Sequence, residues 1–258
     1  MHLELKPYLR GLIMNRSLSL VALIVGVGAL PLRAQFPPDS LVNLQVLPED
    51  TEVRELIGIM RGFALGLGVR CEHCHVGEEG QPLSTFDFPA DEKPTKAKAR
   101  EMLRMVQAIN GEHLANLSER SDPPIDVTCA TCHHGLNRPV TLTTVLLQTR
   151  ADEGIDAAID QYRRIREQYF GSWTYDFTEA TLTDAGQQIG RAHPDDAIEF
   201  LNLNKEFFPE SPGIYLFLGQ IYAIKGDTAT AVANLERSLE LAPGNPAATR
   251  VLRQLGRD

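Results

Sequence analysis

The residues with the clearest chemical potential are the four cysteines, which occur as two pairs. Both pairs have the pattern Cys-x-x-Cys-His: Cys71, Cys74 and His75 in the first motif, and Cys129, Cys132 and His133 in the second. Two thiols at this spacing can bond to the two vinyl groups of one haem, and the adjacent histidine can then ligate the iron. The sequence therefore predicts two covalently attached haem c groups.

The same cysteines admit two other interpretations. All four together could ligate one structural zinc ion, but a histidine after each pair would then be superfluous. Two disulfides could form in an oxidising compartment. Covalent haem attachment is favoured because it gives a role to both histidines as well as to all four cysteines.

A candidate sixth ligand for the first haem iron is Met60. It lies on a predicted helix that begins at Val53 and ends at Gly66 and Gly68, just before Cys71. The glycines would allow the chain to reverse, so that the thioether returns over the haem face. Met60 also belongs to the apolar stripe of that helix, and a core position is the alternative.

Three candidates for the second haem lie on one predicted helix, which extends from Thr95, its predicted N-cap, to Leu117. They are Met102, Met105 and His113. Met102 and His113 share the apolar stripe, whereas Met105 is turned partly away. A histidine on an apolar face is more often a hydrogen-bonded core residue than a ligand, so spacing leaves the choice open.

Three stretches carry a family resemblance: Met60 eleven residues before Cys71, the runs 99–105 (AREMLRM) and 108–110 (AIN), and 127–133 (VTCATCH). Through them, the span from Leu44 to Pro139 resembles the tetrahaem cytochrome subunit bound to photosynthetic reaction centres of purple bacteria. In that family each haem follows a helix, and a methionine on the helix usually supplies the sixth ligand. The resemblance therefore implies Met60 for the first haem and Met102 for the second, with His113 as a bis-histidine alternative. This chain has two of the family's four motifs.

The N-terminus predicts export. Residues 1–34 are typical of a signal peptide, because basic residues precede the apolar run 17–30 and Ala34 suits a cleavage site. A periplasmic location follows, with an uncleaved membrane anchor as the alternative. Export agrees with the haem prediction, since c-type haem is attached outside the cytoplasmic membrane.

The C-terminal part predicts helical repeats. Three residues recur 34 positions later, which is the tetratricopeptide period: Ala197, Leu201 and Pro209 as Ala231, Leu235 and Pro243. In the first copy, Asp184 and Ala185 stand where the second has Leu218 and Gly219. An amphipathic helix is predicted over 151–170. The predicted fold is mainly α, with a reaction-centre-cytochrome-like dihaem domain at 35–150, a connecting helix within 151–177 and tetratricopeptide-like repeats at 178–258.

With both irons six-coordinate, the predicted function is electron transfer between redox proteins, with a membrane-bound electron-transfer complex as one candidate partner. The alternatives are a dihaem peroxidase-like enzyme and a haem-based sensor, both of which need an open iron site. The formal charge of −9 argues against a nucleic-acid partner. Stacked repeats form protein-binding surfaces, so the repeat region is predicted to dock a partner.

Overall fold

The computed structural model describes residues 36–256, and the prediction of a mainly α fold is confirmed there. The predicted signal segment, residues 1–34, lies outside the described residues. In chain order the helices are α1 (Val53–Leu67), α2 (Pro94–Ala108), α3 (Cys129–His133), α4 (Leu142–Glu153), α5 (Ile155–Tyr169), α6 (Glu179–Ile189), α7 (Pro194–Phe207), α8 (Pro212–Lys225), α9 (Thr228–Leu241) and α10 (Pro246–Gln254). Over 36–256, no helix is long and apolar enough to cross a membrane.

Helix α1 delivers the chain to the first motif, as predicted. Gly68 ends the helix in the left-handed conformation, at φ 64°, which glycine adopts without strain. The backbone amide of Val69 donates to the carbonyl of Ala64, so the last turn is closed before the chain continues to Cys71.

The second predicted helix starts and ends earlier than the sequence indicated. Pro94 already lies in the first turn, so the prediction that Thr95 caps the helix is wrong. The α-helical pattern stops at Ala108, and residues 109–114 form a wider π-helical turn instead of continuing to Leu117. Because a π turn contains more residues per turn, side chains beyond it no longer follow the α-helical stripe.

Helices α4 to α7 share one apolar core. Leu146 on α4, Tyr162 on α5, Leu182 on α6 and Phe200 on α7 are all fully buried in it. Gly154, at φ 98°, separates α4 from α5, so the prediction of one continuous helix over 151–170 is wrong at its start. The three predicted spans 35–150, 151–177 and 178–258 remain a prediction, but this core takes residues from each of them.

Two helix pairs, α6–α7 and α8–α9, are held together by the same contacts. A glycine of the first helix faces a leucine and an alanine carbonyl of the second in both pairs: Gly186 faces Leu201 and Ala197, and Gly219 faces Leu235 and Ala231. The second-helix residues are 34 positions apart and the glycines 33. The glycine expected at position 185 from the 34-residue spacing is therefore present one residue later.

Candidate haem sites

The first motif forms a tight turn that places both thiols and the histidine together. Residues Cys71–His73 form a short 3-10 helix, and the amides of Cys74 and His75 both donate to the Cys71 carbonyl, at 3.2 and 2.9 Å. Neither cysteine forms a disulfide, and burial raises the pKa of the Cys74 thiol. This is a turn from which two neighbouring side chains can reach one ligand.

One ring nitrogen of His75 is held by a backbone hydrogen bond. Its Nδ1 lies 3.1 Å from the backbone carbonyl oxygen of Phe88. A carbonyl can only accept, so the proton resides on Nδ1 and the lone pair of Nε2 is left for a metal. His75 is half-buried, and burial lowers its pKa, which favours the neutral imidazole that ligates iron.

The loop that supplies the Phe88 carbonyl is more ordered than a surface loop. Val76 and Asp87 pair as an isolated antiparallel bridge, and Phe86 is buried next to the bridge and stacks on Phe88 with ring centroids 5.6 Å apart. A Cβ added to Gly77 would overlap the Phe86 ring, so only glycine fits there. The support that this loop gives to His75 was not predicted from the sequence.

The start of α2 clamps the first motif and its loop. The ammonium of Lys93 donates to the Glu72 carbonyl, and the hydroxyl of Thr95 donates to the His73 carbonyl. Lys96 donates to the carbonyls of Phe88, Pro89 and Ala90, each at 2.8 Å. The helix that carries Met102 and Met105 is thereby fixed against the first motif.

The second motif is a short helix with a cap at each end. Thr128 and Thr131 exchange hydrogen bonds as a capping box at the start of α3. His133 then places Nδ1 2.7 Å from the Leu136 carbonyl oxygen. The same tautomer argument applies, and Nε2 of His133 is left for a metal. Both predicted proximal histidines thus have the same kind of backbone acceptor.

Asn110, in the π-helical turn after α2, connects that helix to the second motif. Its side-chain nitrogen donates to the Val127 carbonyl, and its side-chain oxygen accepts from the Val127 amide, both at 2.8 Å. Val127 lies two residues before Cys129. The α2 segment therefore contacts the first motif at its start and the second motif at its end.

Helix α1 also joins the two motifs. The Gly135 amide donates to the Gly66 carbonyl at 2.9 Å. A Cβ added to Gly66 would lie 3.0 Å from the Ala130 amide nitrogen and 3.3 Å from Cβ of Cys129. A Cβ added to Gly68 would overlap the Gly135 carbonyl oxygen. Both glycines were predicted to end the helix; Gly68 does so, whereas Gly66 still lies within its last turn. Both let the second motif pack directly on α1.

A cavity of about 480 Å³ opens beside Cys132 and His133, and its far wall belongs to the C-terminal helices. Asp176 precedes α6, and Thr181, Asp184 and Gln188 lie on it; all four line the cavity. Next to the cavity, the rings of His134 and Trp173 lie 5.3 Å apart. The second motif is therefore enclosed partly by residues that the sequence assigned to the connecting and repeat segments.

The candidate sixth ligands differ in how exposed their side chains are. Met60 is half-buried on α1. Met102 and Met105 are both exposed on α2, at 44% and 46%. His113 is exposed on the π-helical turn, so its predicted shared stripe with Met102 is broken there. Which of these side chains ligates iron stays a prediction.

Residues 36–140 contain almost no core made of protein. Only Gly66 and Phe86 are buried in that range, whereas the three apolar core clusters all lie beyond it. Amphipathic helices need an apolar surface to pack against. Two haems held by the cysteines would supply that surface, so the residues fit the group. Across residues 36–256, no three His, Cys, Asp or Glu side chains are grouped to hold a metal ion, as a shared zinc site would require.

Comparison with known proteins extends these observations. The model of a family described as "Photosynthetic reaction centre cytochrome C subunit" matches residues 38–197. That span contains both motifs and continues through α6 into α7. Cytochrome c-554 of Chloroflexus aurantiacus is 34% identical over 100 residues, which is 35% of this chain and 22% of the relative. The match therefore spans less than a quarter of that relative's own length.

Proposed function

We propose that this chain, which belongs to the photosynthetic reaction centre cytochrome C subunit family, is an exported dihaem c-type cytochrome that passes electrons between protein redox partners. Membership supports electron transfer by a c-type cytochrome with covalently bound haem c. We infer three further features: two haems, a periplasmic location and a docking role for the C-terminal helices.

One observation carries the proposal of two haems. Each of the two Cys-x-x-Cys-His turns presents a histidine whose Nδ1 donates to a backbone carbonyl, that of Phe88 for His75 and that of Leu136 for His133. A single haem at one of the motifs would use only one of these two histidine arrangements. Metal-binding histidines characteristically donate their second ring nitrogen in this way, because the bond fixes the ring and its tautomer.

The cysteines would attach the haems, and the histidines and methionines would ligate the irons. Cys71 and Cys74 would hold the first haem through thioether bonds, with His75 and Met60 as axial ligands. Cys129 and Cys132 would hold the second, with His133 and Met102 as axial ligands and Met105 or His113 as alternatives for the sixth position. When bound, each haem supplies an iron that alternates between the ferric and ferrous states.

The protein's own contribution is rigidity and exclusion of competing ligands. The clamps from Lys93, Thr95 and Asn110 fix both turns, so the histidines need not reorganise when an electron arrives. Met60 and Met102 would occupy the sixth positions of the first and the second iron. This favours a carrier over a peroxidase-like enzyme or a sensor, since both of those need an open site.

The repeated contacts of α6–α7 and α8–α9 support a tetratricopeptide-like arrangement for the C-terminal helices. We expect the later helices, α8 to α10, to serve as the surface that docks a redox protein, because α6 and α7 are occupied by the core with α4 and α5. Residues 1–34 would direct export to the periplasm.

Carbon monoxide tests the assignment as a carrier. It binds ferrous haem only where the sixth position is open or easily vacated. The visible spectrum of the dithionite-reduced protein should therefore be the same with and without carbon monoxide. A large spectral change in one or both haems would contradict the proposal and favour an enzyme or a sensor.

A further inference from the structure

The two proximal histidines differ in what else contacts their hydrogen-bond acceptor. The Phe88 carbonyl oxygen accepts from Nδ1 of His75 at 3.1 Å and also from the Lys96 ammonium at 2.8 Å. The Leu136 carbonyl oxygen accepts from Nδ1 of His133 at 2.7 Å, and no second donor reaches it within residues 36–256. The two motifs are alike in sequence, but only the first shares its acceptor with a cation.

We propose that Lys96 makes the first haem the one of higher reduction potential, by sharing the Phe88 carbonyl with His75. This rests on the proposed dihaem function and extends it by stating which haem is reduced first. With both haems bound, a single electron that enters the protein would then favour the first haem over the second. No proton moves, and no bond is made or broken.

The hydrogen bond of the histidine determines whether the reduction potential rises or falls. A strong bond from Nδ1 to its acceptor gives the imidazole partial anionic character, so it donates more charge to iron and stabilises the ferric state. An ammonium on the same carbonyl draws electron density from that oxygen and makes it a poorer acceptor. The longer bond at His75, 3.1 Å against 2.7 Å at His133, agrees with this weakening.

The charged side chains near each motif also favour a higher reduction potential at the first haem. The side chains of Lys96 and Arg100 are mostly buried beside the first motif, and Asp91 bonds to both, at 3.0 and 2.8 Å, so it offsets only one of the two cations. The cavity beside His133 is lined instead by Asp176 and Asp184. A net cation disfavours the ferric iron, whereas nearby carboxylates favour it.

A purely structural interpretation of Lys96 makes a different prediction. Lys96 also donates to the carbonyls of Pro89 and Ala90, so it could simply hold the loop in place. In that case its removal would loosen haem binding or lower stability without a selective change in one potential. The experiment must therefore measure haem content and both potentials on the same samples.

The test is spectroelectrochemical titration of the full-length holoprotein and its variants. Lys96→Met should lower the higher of the two potentials by about 59 mV, which is a tenfold change in the ferrous-to-ferric ratio of a one-electron couple. The lower potential should not move, and Lys96→Arg should restore the first. Lys98→Met is the matched control, because Lys98 is exposed on the same helix and makes no hydrogen bond or ion pair to the residues described.

Asp91→Asn gives a test of opposite sign that does not depend on the Lys96→Met protein folding. It removes the carboxylate that offsets the cations, so the higher potential should rise. The inference is overturned if the lower potential moves, if Lys98→Met has the same effect as Lys96→Met, or if Asp91→Asn leaves both potentials unchanged. Two haems by intact mass in the same samples would show that the dihaem proposal itself still holds.

Discussion

Replacing Gly68 with alanine should destabilise the haem-binding part of the protein more than any other single methyl addition to α1. Gly68 has a left-handed conformation, which costs a residue with a side chain about 1–2 kcal/mol. The added Cβ would also overlap the Gly135 carbonyl oxygen, so the second motif must move away from α1. That movement breaks the 2.9 Å bond from the Gly135 amide to the Gly66 carbonyl.

The expected loss can be worked out from these contacts. The broken hydrogen bond contributes about 1 kcal/mol, and with the backbone strain the free energy of unfolding should fall by about 2–3 kcal/mol. Gly62→Ala is the matched control, because Gly62 lies within the same helix and a Cβ there meets no atom within 4 Å. It should raise the free energy of unfolding by up to about 1 kcal/mol, since alanine is the better helix former.

The assay is guanidinium unfolding of the holoprotein, followed by the haem Soret absorbance, which reports on the haem-binding part. The midpoint of Gly68→Ala should fall, and that of Gly62→Ala should stay or rise. If Gly68→Ala unfolds at the wild-type midpoint, the second motif does not pack on the end of α1. Equal losses of stability in both variants would mean that a methyl group anywhere along this segment is destabilising, and that close packing at Gly68 is not the cause.

Three further predictions concern the haems and the C-terminal helices. Met60→His should lower one potential and leave the other nearly unchanged, because a second imidazole favours ferric iron more than a thioether does; an unaltered potential would make Met60 a core residue only. A protein with Cys71 and Cys74 both changed to alanine should retain mainly the second haem, as judged by its mass; retention of both haems would contradict attachment at this pair. A chain ending at residue 177 should aggregate or lose helical circular dichroism, because it exposes side chains such as Leu146 and Tyr162, each worth about 1.5–3 kcal/mol when buried. A chain ending at Pro243, which lacks only α10 and the chain end, is the control and should keep the native haem spectrum.

The sequence identified the parts of the sites that depend on spacing along the chain. The two Cys-x-x-Cys-His turns, the helix before Cys71 and the glycine that ends it, Gly68, are local features, and the structure has all of them. The 34-residue spacing likewise located the paired helices, because Ala197 and Ala231 occupy equivalent positions.

The supporting contacts could not be predicted, because they join residues far apart in the chain. The Phe88 carbonyl is a backbone group without a sequence signal, and Lys96 is one of two lysines on its helix. Asn110 lies in the run shared with the cytochrome family, but nothing in the sequence pairs it with Val127. The π-helical turn that ends α2 is a small shift in hydrogen bonding, and residue propensities do not specify it.

The core that joins α4 to α7 was missed for a similar reason. Leu142 and Leu146 follow the second motif closely, so the sequence grouped them with the haem-binding part. Their partners, Leu182 and Phe200, lie 36 to 58 residues further along and were assigned to the repeats. Amphipathic periodicity shows that a helix has a buried face, but it does not show which neighbour buries it.

Intact-mass measurement of the purified protein after acid-acetone extraction tests the central claim most directly. Noncovalent haem is removed by the extraction, whereas thioether-bonded haem stays with the polypeptide. The account predicts a mass equal to that of the mature chain plus two haems. A mass that corresponds to one haem, or to none, would contradict it.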